Sequence, residues 1–299
     1  MSRHKLGLFF GASSYILWGL FPLYWPLVKP ANPLEIVSHR AVWSLVFCLI
    51  ALYFSKQFRA TFEMFRTPGV VVRFALASAL ISVNWITYIW AVNHQHIVEA
   101  SLGYYMQPII LVSLGVLAFK EKMRKTQWWA FGIATVGVLV LTFDFGRPPW
   151  VSFLLAGSWG SYSLVKKKLN LAALQGLAIE TFISLPFYGG YLIYLAMHGT
   201  GQFGNGAKLT TLLIGAGVVT AVPLLLFNGA TTRLPFTMIG LLQYLTPTIQ
   251  FALAVWLRHE PMPSARWVGF VFIWVALVIL GRDLIKSGGS VDNSLAQPD

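Results

Sequence analysis

Charge is scarce in this sequence. Only 11% of its 299 residues are Asp, Glu, Lys or Arg, and just 10 are acidic. A soluble domain carries about 25% charged residues, so the polar surface needed to face water is missing and a water-soluble globule is excluded. Cysteine is almost absent: the single Cys48 sits inside an apolar run, which rules out a disulfide within the chain, argues against a thiolate metal site and leaves the thiol a packing role. No His-Glu-x-x-His, Gly-x-Ser-x-Gly or Gly-x-x-x-x-Gly-Lys-Ser/Thr run occurs, so a zinc peptidase, a serine hydrolase and a nucleotide-driven pump are not expected. Neither an enzyme nor a cofactor or metal site is expected. The basic start (Arg3, Lys5) leads into apolar residues from Leu6 to Val28. That run is longer than the core of a cleaved signal peptide and has no small-residue cleavage site, so it is predicted to be a retained first spanning helix.

Apolar residues fill the remainder: 57% are hydrophobic, with 12 Trp and 22 Phe. A spanning helix needs roughly 17–25 apolar residues. Ten segments qualify, at 6–28, 33–55, 70–92, 99–119, 127–144, 149–165, 172–197, 209–231, 236–257 and 266–284, and the fold class is an all-α polytopic membrane protein with the lipid bilayer as its partner. The net charge of +12 does not mark a nucleic-acid binder, because the charges fall between apolar runs rather than on one face. The N-terminus and every second loop hold most of them (Lys56, Arg59, Lys120, Lys122, Arg124, Lys125, Lys166, Lys167, Lys168, Arg233), whereas the opposite loops hold only Lys29, Arg147, Lys208, Arg258 and Arg266. That asymmetry predicts both termini in the cytoplasm.

One stretch occurs twice. Tyr105, Pro108, Glu121, Trp128 and Asp144 are repeated 139 residues later by Tyr244, Pro247, Glu260, Trp267 and Asp283. The chain therefore divides into residues 1–146 and 147–286, followed by a polar, disordered cytoplasmic tail at 287–299. Five spans per unit is an odd number, so the second unit enters the membrane upside down. Such inverted repeats typify alternating-access transporters.

Longer stretches carry a family resemblance. EIVSHRAVWS (35–44), NWITYIWAVNHQHIVEASLGYYMQP (84–108), YSLVKKK (162–168), GLAIET (176–181), VVTAVPLLLF (218–227), TRLPFTMIGLLQYLTPT (232–248) and FIWVAL (272–277) resemble the RarD-type permeases of the EamA branch of the drug/metabolite transporter superfamily. The resemblance implies ten helices in two inverted repeats, a bacterial inner membrane, and export of a small organic solute, metabolite or drug-like, through a cavity between the halves. It fixes neither the solute nor the oligomeric state. An uncoupled exchanger, a facilitative channel and a membrane receptor are the alternatives.

Three sets of residues are candidates for the chemistry. Pro108 and Pro247 fall mid-helix, where proline frees the carbonyl four residues earlier, at Tyr104 and Gln243; a packing kink is the simpler alternative. With Tyr105, Tyr244, Asn84, Trp85, Tyr88 and the mid-span pair Trp18 and Trp159, they are expected to line the cavity. Spans three, four, eight and nine should surround it, with one and six beside them. Glu180 lies deep in the seventh span, where a carboxylate is functional by default, and His39 is its repeat counterpart. Together they are expected to exchange protons, or else Glu180 locks helix to helix. Arg40 and Glu99 are secondary candidates. Arg40 is expected to snorkel toward the outer surface, Glu99 to sit at a helix N-terminus, and Glu35 to complete a capping box with Asn32.

Overall fold

Within a bilayer each segment must satisfy its own backbone hydrogen bonds, and every regular element among the described residues is a helix. The computed structural model describes residues 2–67, 69–93, 97–144, 149–253 and 264–287. The helices are α1 (Arg3–Gly19), α2 (Phe21–Tyr24), α3 (Pro33–Phe54), α4 (Phe58–Glu63), α5 (Val70–Asn93), α6 (Ile97–Phe119), α7 (Lys125–Asp144), α8 (Trp150–Leu169), α9 (Ala173–His198), α10 (Ala207–Thr231), α11 (Phe236–Leu242), α12 (Leu245–Ala252) and α13 (Ser264–Ser287), with a 3₁₀ turn at Trp25–Val28.

Seven described segments are long and apolar enough to cross a membrane: Arg3–Val28, Pro33–Phe54, Val70–Tyr88, Leu102–Phe119, Lys125–Phe143, Ala173–His198 and Ala207–Thr231. The other three of the ten expected spans differ for identifiable reasons. Helix α8 fills the sixth but ends in Lys166, Lys167 and Lys168. The ninth is divided into α11 and α12, and its far end lies outside the described residues, as does the polar tail after Ser287. Helix α13 occupies the tenth. Large apolar side chains point outward along the bundle, Leu117, Phe143 and Met197 among them, the arrangement suited to lipid rather than water.

Local chemistry sets the element boundaries. Asn32 caps α3, its Oδ1 accepting from the Glu35 N–H at 2.8 Å, with Pro33 in the first turn. The Glu35 carboxylate does not complete a capping box: it accepts from the Gln202 N–H at 2.6 Å and so ties the α9–α10 loop to α3. Pro108 is accommodated inside the continuous α6. At Pro247 the chain behaves differently. The carbonyl of Gln243 accepts from the Thr246 N–H at 3.1 Å, so a tightened turn satisfies the freed group and separates α11 from α12.

Packing follows a paired scheme. Helix α1 lies against α10 and α12, α8 against α5 and α6, α3 against α10 and α9, α5 against α9, and α7 against α13. Small residues permit the closest crossings. A Cβ on Gly19 would meet Ile249 at 2.8 Å, one on Gly160 would meet Ile110 at 2.5 Å, and one on Gly217 would meet the Trp43 backbone at 2.4 Å. Overpacking of this kind costs about 1–3 kcal/mol. Gly217→Ala is therefore expected to lower the thermal unfolding midpoint in detergent. Gly132→Ala, where no heavy atom lies within 4 Å of the new Cβ, should leave it unchanged or raise it; equal behaviour of the two variants would refute this account of the α3–α10 contact.

Candidate functional site

A single stripe on each of several helices builds one cavity of about 570 Å³. Residues at i, i+3, i+4 and i+7 share a helix face. Helix α3 contributes Pro33, Ile36, Val37 and Arg40; α5 contributes Ile81, Asn84, Trp85 and Tyr88; Gln243, Thr246 and Gln250 descend one face of the α11–α12 segment. Trp18, Trp25, Tyr104, Gln107, Trp159 and Thr220 complete the wall. These positions occupy one half of the bundle only. The lining uses the first turns of α3 and the last turns of α5, the two ends that lie on the same side.

The cavity floor is aromatic and amide. Trp18 and Trp159 meet edge to face, centroids 5.3 Å apart at 86°, a favourable geometry for ring quadrupoles. Trp159 Nε1–H donates to Gln243 Oε1 at 3.2 Å, and the Gln243 amide donates to Gln107 Oε1. Asn84 Nδ2 donates to the Leu155 carbonyl at 2.8 Å and to Ser158 Oγ at 3.0 Å. Asn84 Nδ2, Gln107 Oε1 and both ends of the Gln243 amide are thus held by other helices.

Arg40 stands higher on the wall. Its guanidinium carbon lies 4.6 Å from the ring centroids of both Trp25 and Trp85, and Nε–H donates to Thr220 Oγ1 at 3.0 Å. The expected outward snorkelling does not occur, because two indole faces and a hydroxyl hold the side chain in the cavity.

Below the floor the polar groups are paired with one another. Glu180 Oε2 lies 2.7 Å from Lys166 Nζ and accepts from the Tyr162 hydroxyl at 3.4 Å, with both charged side chains buried. Glu121 accepts from the N–H groups of Phe236 and Thr237 at 2.6 and 2.8 Å, capping the start of α11. Lys167 Nζ lies 3.8 Å from Glu121 and donates to the Leu234 carbonyl at 2.6 Å. Arg124 pairs with Asp283 at 2.6 Å. These three Lys/Arg–carboxylate pairs all lie at the end of the bundle away from the cavity.

Of the residues expected at the site, Trp18, Asn84, Trp85, Tyr88, Tyr104, Trp159, Gln243 and Arg40 line the cavity. Tyr105, Pro108, Tyr244 and Pro247 are placed outside its lining; Tyr244 is fully buried in the cluster around Val112, Ala130 and Ile273, and Tyr105 packs on the same cluster. Glu180 and His39 are not brought together. His39 sits toward the cavity end, stacked on Phe203 with centroids 4.8 Å apart, and its Nδ1 accepts from Trp43 Nε1–H at 3.2 Å. The side chain of Glu99 lies outside the described residues. Sequence reasoning missed Gln107, Thr220, Gln250 and, on α3, Pro33, Ile36 and Val37. The i, i+3, i+7 spacing of Gln243, Thr246 and Gln250 was the available signal.

A helical bundle with a half-depth aromatic cavity has known relatives. The family model described as "EamA-like transporter family" matches residues 5–143 and again residues 149–282. The chain belongs to the EamA-like transporter family. Within it the chain is a RarD-type permease, similar to "Protein RarD" of Streptomyces exfoliatus at 44% identity, covering 96% of this chain and 91% of that one. It is also 43% identical to the "Uncharacterized transporter YojE" of Bacillus subtilis (strain 168), over 94% of this chain and 95% of that one. A solved structure entitled "Crystal structure of protein" has the same fold at 15% identity, with a TM-score of 0.72 over 93% of this chain and 98% of its own. This EamA-family chain is a bacterial inner-membrane transporter, and the cavity is its candidate solute site. In a Cys48→Ala background, cysteine at position 88 or 250 is expected to react with a water-soluble thiol reagent, and cysteine at 244 to stay inert. Reaction at 244 matching that at 88 would refute the wall as drawn.

Proposed function

We propose that this transporter is a secondary active exporter of a small organic solute, working by alternating access. The observation that carries the proposal is the asymmetry of the bundle: one half holds a solute-sized cavity, and the other half is drawn shut by Lys166–Glu180, Lys167–Glu121 and Arg124–Asp283. A carrier needs one closed door at a time. A channel needs a continuous path, and the Trp18–Trp159 floor speaks against one.

Two five-helix units, residues 1–146 and 147–286, inserted in opposite senses, are the proposed machinery. The paired packing supports this reading. Exchanging the units turns the α1–α10 contact into α8–α5 and the Gly19–Ile249 crossing into Gly160–Ile110. The family model's match to each half supports it too. With both termini cytoplasmic, as the Lys/Arg distribution favours, the cavity faces outward and the paired end faces the cytoplasm.

Proton coupling is proposed at Glu180, acting through Lys166 rather than through the cavity. A proton on this carboxylate would cancel its charge and release the ammonium, loosening the inner end. His39, the proposed counterpart, lies beside Glu35, its Nε2 3.9 Å from that carboxylate. Reconstituted protein should show saturable counterflow in a solute screen, and Glu180→Gln should lose accumulation driven by a pH gradient while keeping exchange. Non-saturating conductance would overturn the carrier, and full uphill transport by Glu180→Gln would overturn the coupling site. Because removing one partner of a buried pair costs about 3–5 kcal/mol, the Glu180→Gln/Lys166→Met double variant serves as the folding control.

A further inference from the structure

Arg40 is the one charged residue among the cavity lining, and no Asp or Glu accompanies it there among the described residues. A cation within a membrane span normally finds a carboxylate or faces water. Here its guanidinium carbon lies over the rings of both Trp25 and Trp85, and its Nε–H is spent on Thr220. A guanidinium has five N–H donors in one plane. The four on Nη1 and Nη2 make no hydrogen bond to a described residue. What remains is a planar two-pronged edge with no competing acceptor from a described residue, beside two indole rings that flank the cation. The hydroxyl-bearing rings of Tyr88 and Tyr104, themselves packed edge to face with centroids 5.7 Å apart, stand on the same wall.

The geometry points to an organic monoanion as the solute: one carboxylate docked on the Nη edge of Arg40, with an apolar or aromatic body lying against Trp18, Trp85, Phe21 and Val37. A carboxylate matches the spacing of the guanidinium fork, and one cation neutralises one negative charge. A phosphate dianion would keep a second charge unpaired in a wall that is otherwise aromatic and amide. An ammonium would meet like charge and find no carboxylate. A cavity of about 570 Å³ falls in the range that holds a modest organic molecule. The inference deepens the transport proposal and rests on it for its biological meaning, but the site itself is tested by binding.

Isothermal titration of the purified protein should use three probes that share one body: 3-phenylpropanoate, the neutral 3-phenylpropanamide and the cationic 3-phenylpropylamine. The acid is expected to bind about ten- to a hundredfold more tightly than either of the others, the range a charge-assisted hydrogen bond supplies. Arg40→Gln should erase that preference, and Arg40→Lys should retain part of it, since the charge stays while the fork is lost. Equal or tighter binding of the amide or the amine, an acid affinity unmoved by Arg40→Gln, or no binding of the acid overturns the inference. Should both variants unfold, the ranking of the three probes on the unaltered protein decides the matter. Arg40-dependent acid binding without counterflow would leave the site standing and remove the transport reading. Counterflow of the amide or amine with the acid excluded would do the reverse.

Discussion

Polar groups inside a bilayer must find partners within the protein, because no water lies on the lipid side to take them. That constraint organises this molecule. The spanning helices offer apolar exteriors, and among the charges drawn into the bundle two groups stand out. Glu180, Lys166, Glu121 and Lys167 are held by one another and by backbone groups at one end. Arg40 is held in the cavity by ring faces and one hydroxyl. On the proposed transport reading the first group keeps an end shut, and the second equips a chamber to receive a solute.

The closed end is adjustable because its bonds are local and few. Glu121 reaches from the loop after α6 to the start of α11, and Lys167 reaches from the end of α8 to the carbonyls that close α10. Glu121, through the α11 N–H groups and through Lys167 at 3.8 Å, joins one proposed unit to the other, so a relative tilt of the units would part those contacts. Buried pairs contribute little net stability once desolvation is counted, which suits contacts that the proposed transport cycle would break and reform. The broken α11–α12 segment sits between this latch and the floor, where Gln243 bridges Trp159 and Gln107.

The fold was legible because membrane spans announce themselves by length and apolarity, and Asn32-Pro33 marked the start of α3. The mid-span Trp18 and Trp159 were legible as a pair because a tryptophan away from the interface needs an internal use. Azimuth was the hidden variable. Helices apolar all round carry no polar stripe to tell a cavity face from a packing face, so Tyr105 and Tyr244 read as well as Tyr104 and Gln243, yet one residue's rotation of about 100° puts the first two in a dry cluster. Depth along a span likewise said that Glu180 needed a partner without saying that Lys166, fourteen residues earlier, would supply it. Arg40 was undervalued for the same reason: a route to the surface could be imagined from sequence, whereas the approach of Trp25 and Trp85 to its guanidinium exists only in three dimensions.

Alternating access is the central claim, and sided thiol labelling tests it most directly. In a Cys48-free background, one cysteine replaces Tyr88 on the cavity wall and another, in a separate variant, replaces Ser163, fully buried beyond the floor on α8. Weakening the latch with Glu121→Gln should slow labelling at 88 and open 163 to reagent supplied from the opposite face of the membrane, so the two rates move in opposite directions. Rates that rise together, or a position 163 that stays inert whatever happens to the latch, would contradict a protein whose two ends open in turn.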